Sequence, residues 1–344
     1  MSYGAAYLLS IGATIAMRSR TEPAGKPANV FETLFPLVAF SLLPRHVQQL
    51  PIIDAGAHNG MDLLVPAAKL GHRAYAYEPS YWSLMALEYN LRRSNISYGH
   101  WPRVTDFRNA APGTVRTQRA AVSDASGKSV FLESALYGGV ASTLGGAAAM
   151  PANYAAASRN RTVRTVRLDD ELKQESDGIF LLKLDIQGAE YRALTGGADY
   201  LKRRRVYVIM LEFSPFLLLG NGASPLKLLQ LLSIDLRYQC FARHFRPALL
   251  RNRSHDGLVM TLADFSQSLS PVSTRKNKFG DWTDLTCVRL DLLCEGDAEQ
   301  IERIIVRPWL RELCCQTKQG AAMQCQPKSS VRSPGEHVVY LWSM

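Results

Sequence analysis

Residues 51–80 read PIIDAGAHNGMDLLVPAAKLGHRAYAYEPS, and this stretch decides the fold. Its opening, IIDAG, is a short apolar run that stops at a glycine, the pattern of a strand buried on both faces. MDLLVPAAKLG then spaces its apolar residues as a helix does, with Gly71 as the C-terminal cap and Pro66 as a kinking residue inside it. HRAYAYEP is a second strand, and SYWSLMALEYNLRRSN a second amphipathic helix with Ser80 as its N-cap. Strand and helix in alternation open a parallel sheet.

Outward from this unit the alternation continues. TVRTQRAAVSD predicts a third strand, GKSVFLES and TVRTVRLDD extended segments, and DGIFLLKLDIQG and RVYVIMLEFS two buried strands. A helix over 189–203, interrupted at Gly196 and Gly197, separates the last two. A helix over 225–233 and strands over 236–243 and 285–293 complete the set. Residues 135–160, rich in Gly, Ala and Ser, predict a long mobile loop. The class is α/β, a doubly wound, mostly parallel sheet with flanking helices.

Three regions follow. Residues 1–49 hold an apolar segment, a linker (TEPAGKPAN) and a lead-in helix; 50–295 form the main domain; 296–344 a C-terminal helix and tail. The apolar run over 4–17 is short for a membrane span, and its arginines, Arg18 and Arg20, follow it rather than precede it. Signal anchor, organellar presequence and packed helix all remain open, with a lean to targeting or tethering. The compartment is correspondingly open between a membrane-anchored or organellar one and the cytoplasm.

The chain of 344 residues is 47% hydrophobic and 20% charged, which excludes a disordered protein. Its formal charge of +10 favours acidic partners: phosphates, carboxylates, anionic membranes. No zinc-finger spacing, RNP-type aromatic motif or long basic tail accompanies that charge, so nucleic acid is a weaker reading. Arginines cluster at 159–167, 202–205 and 243–253, surfaces that suit an acidic acceptor or simply solvent. None of the six cysteines forms a C-x-x-C pair, so no metal site is expected, and Cys240, Cys287 and Cys294 read as small buried hydrophobes.

The turn after the first strand carries the chemistry. Ala57 and Asn59 stand between Gly56 and Gly60, so the dinucleotide fingerprint G-x-G-x-x-G is not met. Glu78, at the end of the second strand, is placed to accept from both hydroxyls of a ribose. A nucleoside cofactor without phosphates fits this combination, and S-adenosylmethionine is one.

DAGAHNG, AYEPS and LEYN together resemble the opening of FkbM-type methyltransferases, and the likeness continues in RAAVSDASGKSVFLES, VRLDD, LLKLDIQGAEYRALTGG and VIMLEFS. The resemblance implies a Rossmann-like class I methyltransferase fold, S-adenosylmethionine as cofactor, and an acceptor hydroxyl on a small molecule or glycan. It implies that Asp54, Gly56 and Gly60 contact the methionine part, that Glu78 holds the ribose, and that Ser123 and Asp124 lie near the adenine. His58 belongs to the same loop, although the family does not require a histidine there, and Gln187 stands where the family usually has Glu. Asp185 is the candidate base on the acceptor side, with Glu190 either a second catalytic carboxylate or a helix-terminus stabiliser. The rival readings are an RNA methyltransferase, suggested by the charge, and a binding protein that keeps the fold without turnover, suggested by Gln187 and His58.

Overall fold

Ile52 and Ile53 point to opposite sides of one sheet, and each joins a different apolar core. The computed structural model describes residues 50–100, 107, 109–134, 143–144, 158–173, 175, 178–203, 206–242, 259–272, 280–289 and 338–341. The apolar segment over 4–17, the linker, the lead-in helix, the arginine cluster at 243–253, Cys294 and the C-terminal helix lie outside the described residues.

In chain order the described elements begin with β1 (Ile52–Ala55), α1 (Leu64–Lys69), β2 (Ala74–Tyr77), α2 (Tyr81–Arg93), β3 (Tyr98–Gly99) and β4 (Val115–Gln118). Then come β5 (Ala121–Val122), β6 (Gly127–Ser134), β7 (Thr143–Leu144), β8 (Ser158–Val166) and α3 (Leu168–Glu171). β9 (Ile179–Leu184), α4 (Glu190–Gly196), α5 (Ala198–Arg203), β10 (Val206–Phe213), α6 (Pro215–Gly220) and α7 (Pro225–Gln230) follow. A π-helical turn (Leu231–Asp235) leads to β11 (Tyr238–Ala242), β12 (Val259–Thr261), α8 (Leu262–Ser268), β13 (Thr283–Arg289) and β14 (Val338–Leu341).

The main sheet runs β12-β14-β11-β13-β10-β9-β1-β2-β4-β3. From β10 to β3 every neighbouring pair is parallel, and β13 inserts antiparallel between β10 and β11. The sheet is the doubly wound, mostly parallel one that the sequence predicts. Alternate residues of each central strand feed alternate cores, as the two-residue period of a strand requires. Ile52, Ala74, Leu181 and Val208 pack with Leu64, Leu84 and Leu87 of α1 and α2. Ile53, Tyr75, Leu182 and Ile209 pack with Leu194, Leu201, Leu218 and Leu228 of the later helices.

Local details follow from residue chemistry. Pro66 falls in the first turn of α1, where its missing N–H costs no hydrogen bond, so the helix is short rather than kinked. Ser80 caps α2 by accepting from the Ser83 N–H, and Gly197 ends α4 before α5 begins. The segment expected as one third strand divides: β4 stays in the main sheet, while β5 joins a second sheet of order β5-β8-β6-β7. Within the glycine- and alanine-rich stretch, Thr143–Leu144 pairs with β6. The tail also departs from expectation, because β14 lies in the main sheet beside β11. Cys240 and Cys287 are buried as expected, but they are register partners on β11 and β13 and are joined by a disulfide.

Candidate functional site

β1 is where the sheet changes winding direction. The chain proceeds from β1 outward through β2 to β4 and β3, then returns to place β9 on the other side of β1. The carboxyl ends of β1 and β9 therefore diverge into a crevice, the place where open α/β sheets hold ligands. A cavity of about 360 Å³ opens there, within the range of small-molecule sites.

The turn after β1 is built to come close. Gly56 has φ of +81°, and a Cβ there would collide with the Asp185 carbonyl oxygen, so only glycine lets this turn lie against the end of β9. His58 is also left-handed, with φ of +47°, which aims its backbone N–H at Glu78 Oε2 at 2.8 Å. The Ser80 N–H reaches Glu78 Oε1 at 2.8 Å. Each Glu78 oxygen thus has one backbone donor and a further lone pair to offer the cavity. Burial pushes the Glu78 carboxyl up to about 7, against the pull of those two N–H bonds.

A second set of charges sits across β1, β9 and β10. Asp54 and Lys183 are register partners, and Lys183 Nζ lies 3.5 Å from Asp54 Oδ1 and 3.3 Å from Asp185 Oδ2. Burial works against the Lys183 ammonium, but the attraction of Asp54, Asp185 and Asp62 outweighs it and pushes its pKa up. Burial likewise pushes Asp54 up, with Lys183 pulling the other way. Asp185 is the accessible member, its side chain 45% exposed. Gln187 Nε2 donates to Asp185 Oδ1 at 3.1 Å and to Glu212 Oε2 at 2.7 Å. Burial, then the charges of Asp185, Glu190 and Asp284, push Glu212 well above the usual carboxylate range.

Of the residues singled out in the sequence, Asp54, Gly56, His58, Glu78, Asp185 and Gln187 line the cavity. Gly60 does not; it packs on Leu64 and Leu87. Ser123 and Asp124 also lie off it. A Cβ at Gly196 would collide with the Ser123 carbonyl, so α4 packs directly over this pair, and Asp124 pairs with Arg192 at 2.9 Å. Glu190 is buried under the β9–α4 turn, where its Oε1 accepts from the Ile186 and Gly188 N–H groups, both at 3.2 Å. The arginines at 161, 164 and 167 are ion-paired with Glu133, Glu171 and Asp169 respectively.

The sequence did not single out the apolar wall of Ala121, Val122, Phe131 and Leu144, nor Trp282 and Asp284, which also line the cavity. Phe131 is legible as an inward residue of GKSVFLES, but which cavity it faces depends on the second sheet. Among the described residues no group of His, Cys, Asp and Glu is arranged to hold a metal ion, and no helix is long and apolar enough to cross a membrane.

S-adenosylmethionine fits these residues on its chemistry. A buried carboxylate with two open lone pairs suits a ribose diol, the apolar wall suits a flat heterocycle, and Asp54 with the β1 turn suits a charged amino-acid end.

A model of the methyltransferase FkbM domain matches residues 54–240, more than half of the chain. Among solved structures, the chain is similar to a precorrin-6y C5,15-methyltransferase from Geobacter metallireducens GS-15, with 13% identity and a TM-score of 0.33, covering 74% of this chain and 87% of that one. It is also similar to an O-methyltransferase from Bacillus cereus in complex with SAH, with 11% identity and a TM-score of 0.36, covering 84% and 91%. No curated protein matches the sequence.

Proposed function

Because the chain belongs to the FkbM methyltransferase family, whose methyl donor is S-adenosylmethionine, we propose that it methylates a hydroxyl oxygen on a small molecule or glycan, with Asp185 as the base. When bound, the donor supplies a methyl group on a positively charged sulfur, activated toward displacement. Glu78 would hold the ribose hydroxyls, and the turn at Gly56–His58 would close over the amino-acid end. Ala121, Val122, Phe131 and Leu144 would exclude water from the adenine side.

The observation that carries the reading is the placement of Asp185. It is an accessible carboxylate of the cavity, oriented from one side by Lys183 and from the other by Gln187. An acceptor hydroxyl entering there meets a base already fixed in position, which is what general-base catalysis requires. The rim also bears on acceptor charge. Net charge alone favours an acidic partner, whereas Asp185, Glu212 and Asp284 around the mouth favour a neutral, hydroxyl-rich acceptor.

The test is incubation with methyl-labelled S-adenosylmethionine and a panel of neutral glycans, hydroxylated small molecules, amines and RNA. Label in an ether linkage, reduced by about 10²–10⁴ in Asp185→Asn, is the expected outcome. Label on nitrogen or carbon would overturn the hydroxyl acceptor, and label on RNA would overturn the small molecule or glycan.

A further inference from the structure

The outward face of α2 is apolar where a surface helix is ordinarily polar. Its inner face is used in the normal way, with Leu84, Leu87 and Leu91 buried. On the outer face Tyr81, Trp82, Met85 and Tyr89 are 44%, 68%, 48% and 59% exposed. At the angular step of a helix these four positions fall within an arc of about 100°, opposite Leu87. Among the described residues, no other helix or strand carries more than one large apolar side chain so exposed.

The exposed charges beside this face are arginines. Arg92 and Arg93 are exposed in the last turn, and the exposed Arg119 holds its guanidinium 5.3 Å from the Tyr81 ring centre. Glu88, the acidic residue of the helix, is turned away: it accepts from Thr117 Oγ1 at 3.2 Å and lies 3.2 Å from His100 Nε2. The face therefore offers aromatic rings with polar tips, a thioether and arginines.

We propose that this face docks on the surface of an anionic lipid membrane. Tryptophan and tyrosine favour the boundary between headgroups and acyl chains, where the ring is desolvated and the polar tip stays wet. Arginines beside them add attraction to anionic headgroups, and the overall charge of +10 acts in the same direction. A single-stranded nucleic acid fits less well: the Tyr81 and Trp82 rings meet at 74°, so they do not form parallel platforms for successive bases. The first turn of α2 follows directly on Glu78 and Pro79, so docking brings the cavity rim to the lipid surface. The docking face stands on its own geometry and does not depend on the acceptor assigned above.

The test is flotation of the full chain with phosphatidylcholine vesicles, with and without phosphatidylserine, for wild type, Trp82→Ser/Tyr89→Ser and Arg92→Gln/Arg93→Gln. Thermal melting and S-adenosylmethionine titration confirm that each variant is folded. Wild type is expected to float with the phosphatidylserine vesicles. The aromatic pair should weaken that binding by about tenfold or more, and each arginine by about fivefold. Retention of vesicle binding by both variants would overturn the proposal, because attachment then runs through another part of the chain. So would failure of wild type to float, or loss of polyuridine binding in place of vesicle binding in the aromatic variant.

Discussion

The Gln187 side-chain amide donates to Glu212 Oε2 at 2.7 Å, and the same nitrogen reaches Asp185 Oδ1 at 3.1 Å. One neutral donor thus lies between two carboxylates whose strands end side by side. The geometry depends on an unusual backbone, since Gln187 has φ of +55° and its carbonyl accepts from Asn221 Nδ2 at 3.3 Å. Gln187→Glu would replace the shared donor with a further negative charge among groups that already repel. A carboxyl in that position is held protonated in the folded state, so its stabilising effect is present at low pH and lost as pH rises. The melting temperature of Gln187→Glu should therefore fall further below wild type between about pH 5 and pH 8. A deficit that stays constant with pH would show that charge repulsion is not its cause.

Glu78 has the opposite dependence when a ligand is read instead of stability. Its pKa of about 7 leaves part of the population protonated at neutral pH, and a protonated carboxyl has lost acceptor capacity. Affinity for S-adenosylmethionine should rise as pH climbs from about 6 to about 8. Glu78→Gln should weaken binding by about 10- to 100-fold at the upper end and flatten the pH profile. Calorimetric titration of both proteins across that range measures each effect. A profile of equal slope in the variant would assign the pH dependence to another group.

What was legible in the sequence tracks how local its cause is. Asp54, Gly56, Glu78 and Asp185 line the cavity, and that placement was legible because each ends an apolar run that reads as a buried strand, and strand ends form the ligand face of such sheets. That Ser123 and Asp124 do not line the cavity was not visible. They follow β5, which leaves the main sheet, and their place under α4 is set by a contact with Gly196 far along the chain. Leu144 was hidden in a run of small residues because the strand that pairs it with β6 is only two residues long. Asp284 reaches the cavity only through the antiparallel register of β13 with β10, where it stands opposite Glu212. The Cys240–Cys287 bond depends on the register of β13 with β11, which no local spacing encodes.

Lys183 carries a structural duty alongside any catalytic one. Its ammonium neutralises Asp54, whose side chain is 3% exposed, and a buried carboxylate without its partner is costly. Lys183→Met preserves the stem that packs on β1 and β10 but removes the charge. It should lower stability by about 3 kcal/mol near neutral pH, and the further change Asp54→Asn should restore much of the loss. Chemical denaturation of the two single variants and the double variant forms the cycle that measures this coupling. Additive losses would show that the two charges do not interact.

Glu190 provides the last test, and here the pH dependence of stability separates a carboxyl held neutral by burial from a structural anion. The residue is 1% exposed, its Oε1 accepts two backbone N–H groups, and its buried Oε2 has no hydrogen-bond partner among the described residues. Burial pushes its pKa to about 7, despite the backbone N–H groups of Glu190, Gly188 and Ile186, which favour the ionised form. A carboxyl raised in this way from an unfolded value of 4.5 stabilises the fold below that value, and the contribution disappears as pH rises through about 7. Glu190→Gln keeps an oxygen for the two N–H donors and removes the charge. It should therefore melt close to wild type at about pH 5 and several degrees above it at about pH 8, a gain of about 2 kcal/mol. Melting curves across that range decide the point. A variant destabilised equally at both pH values would mean that the ionised carboxylate itself holds the β9–α4 turn, and Glu190 would then be a structural anion.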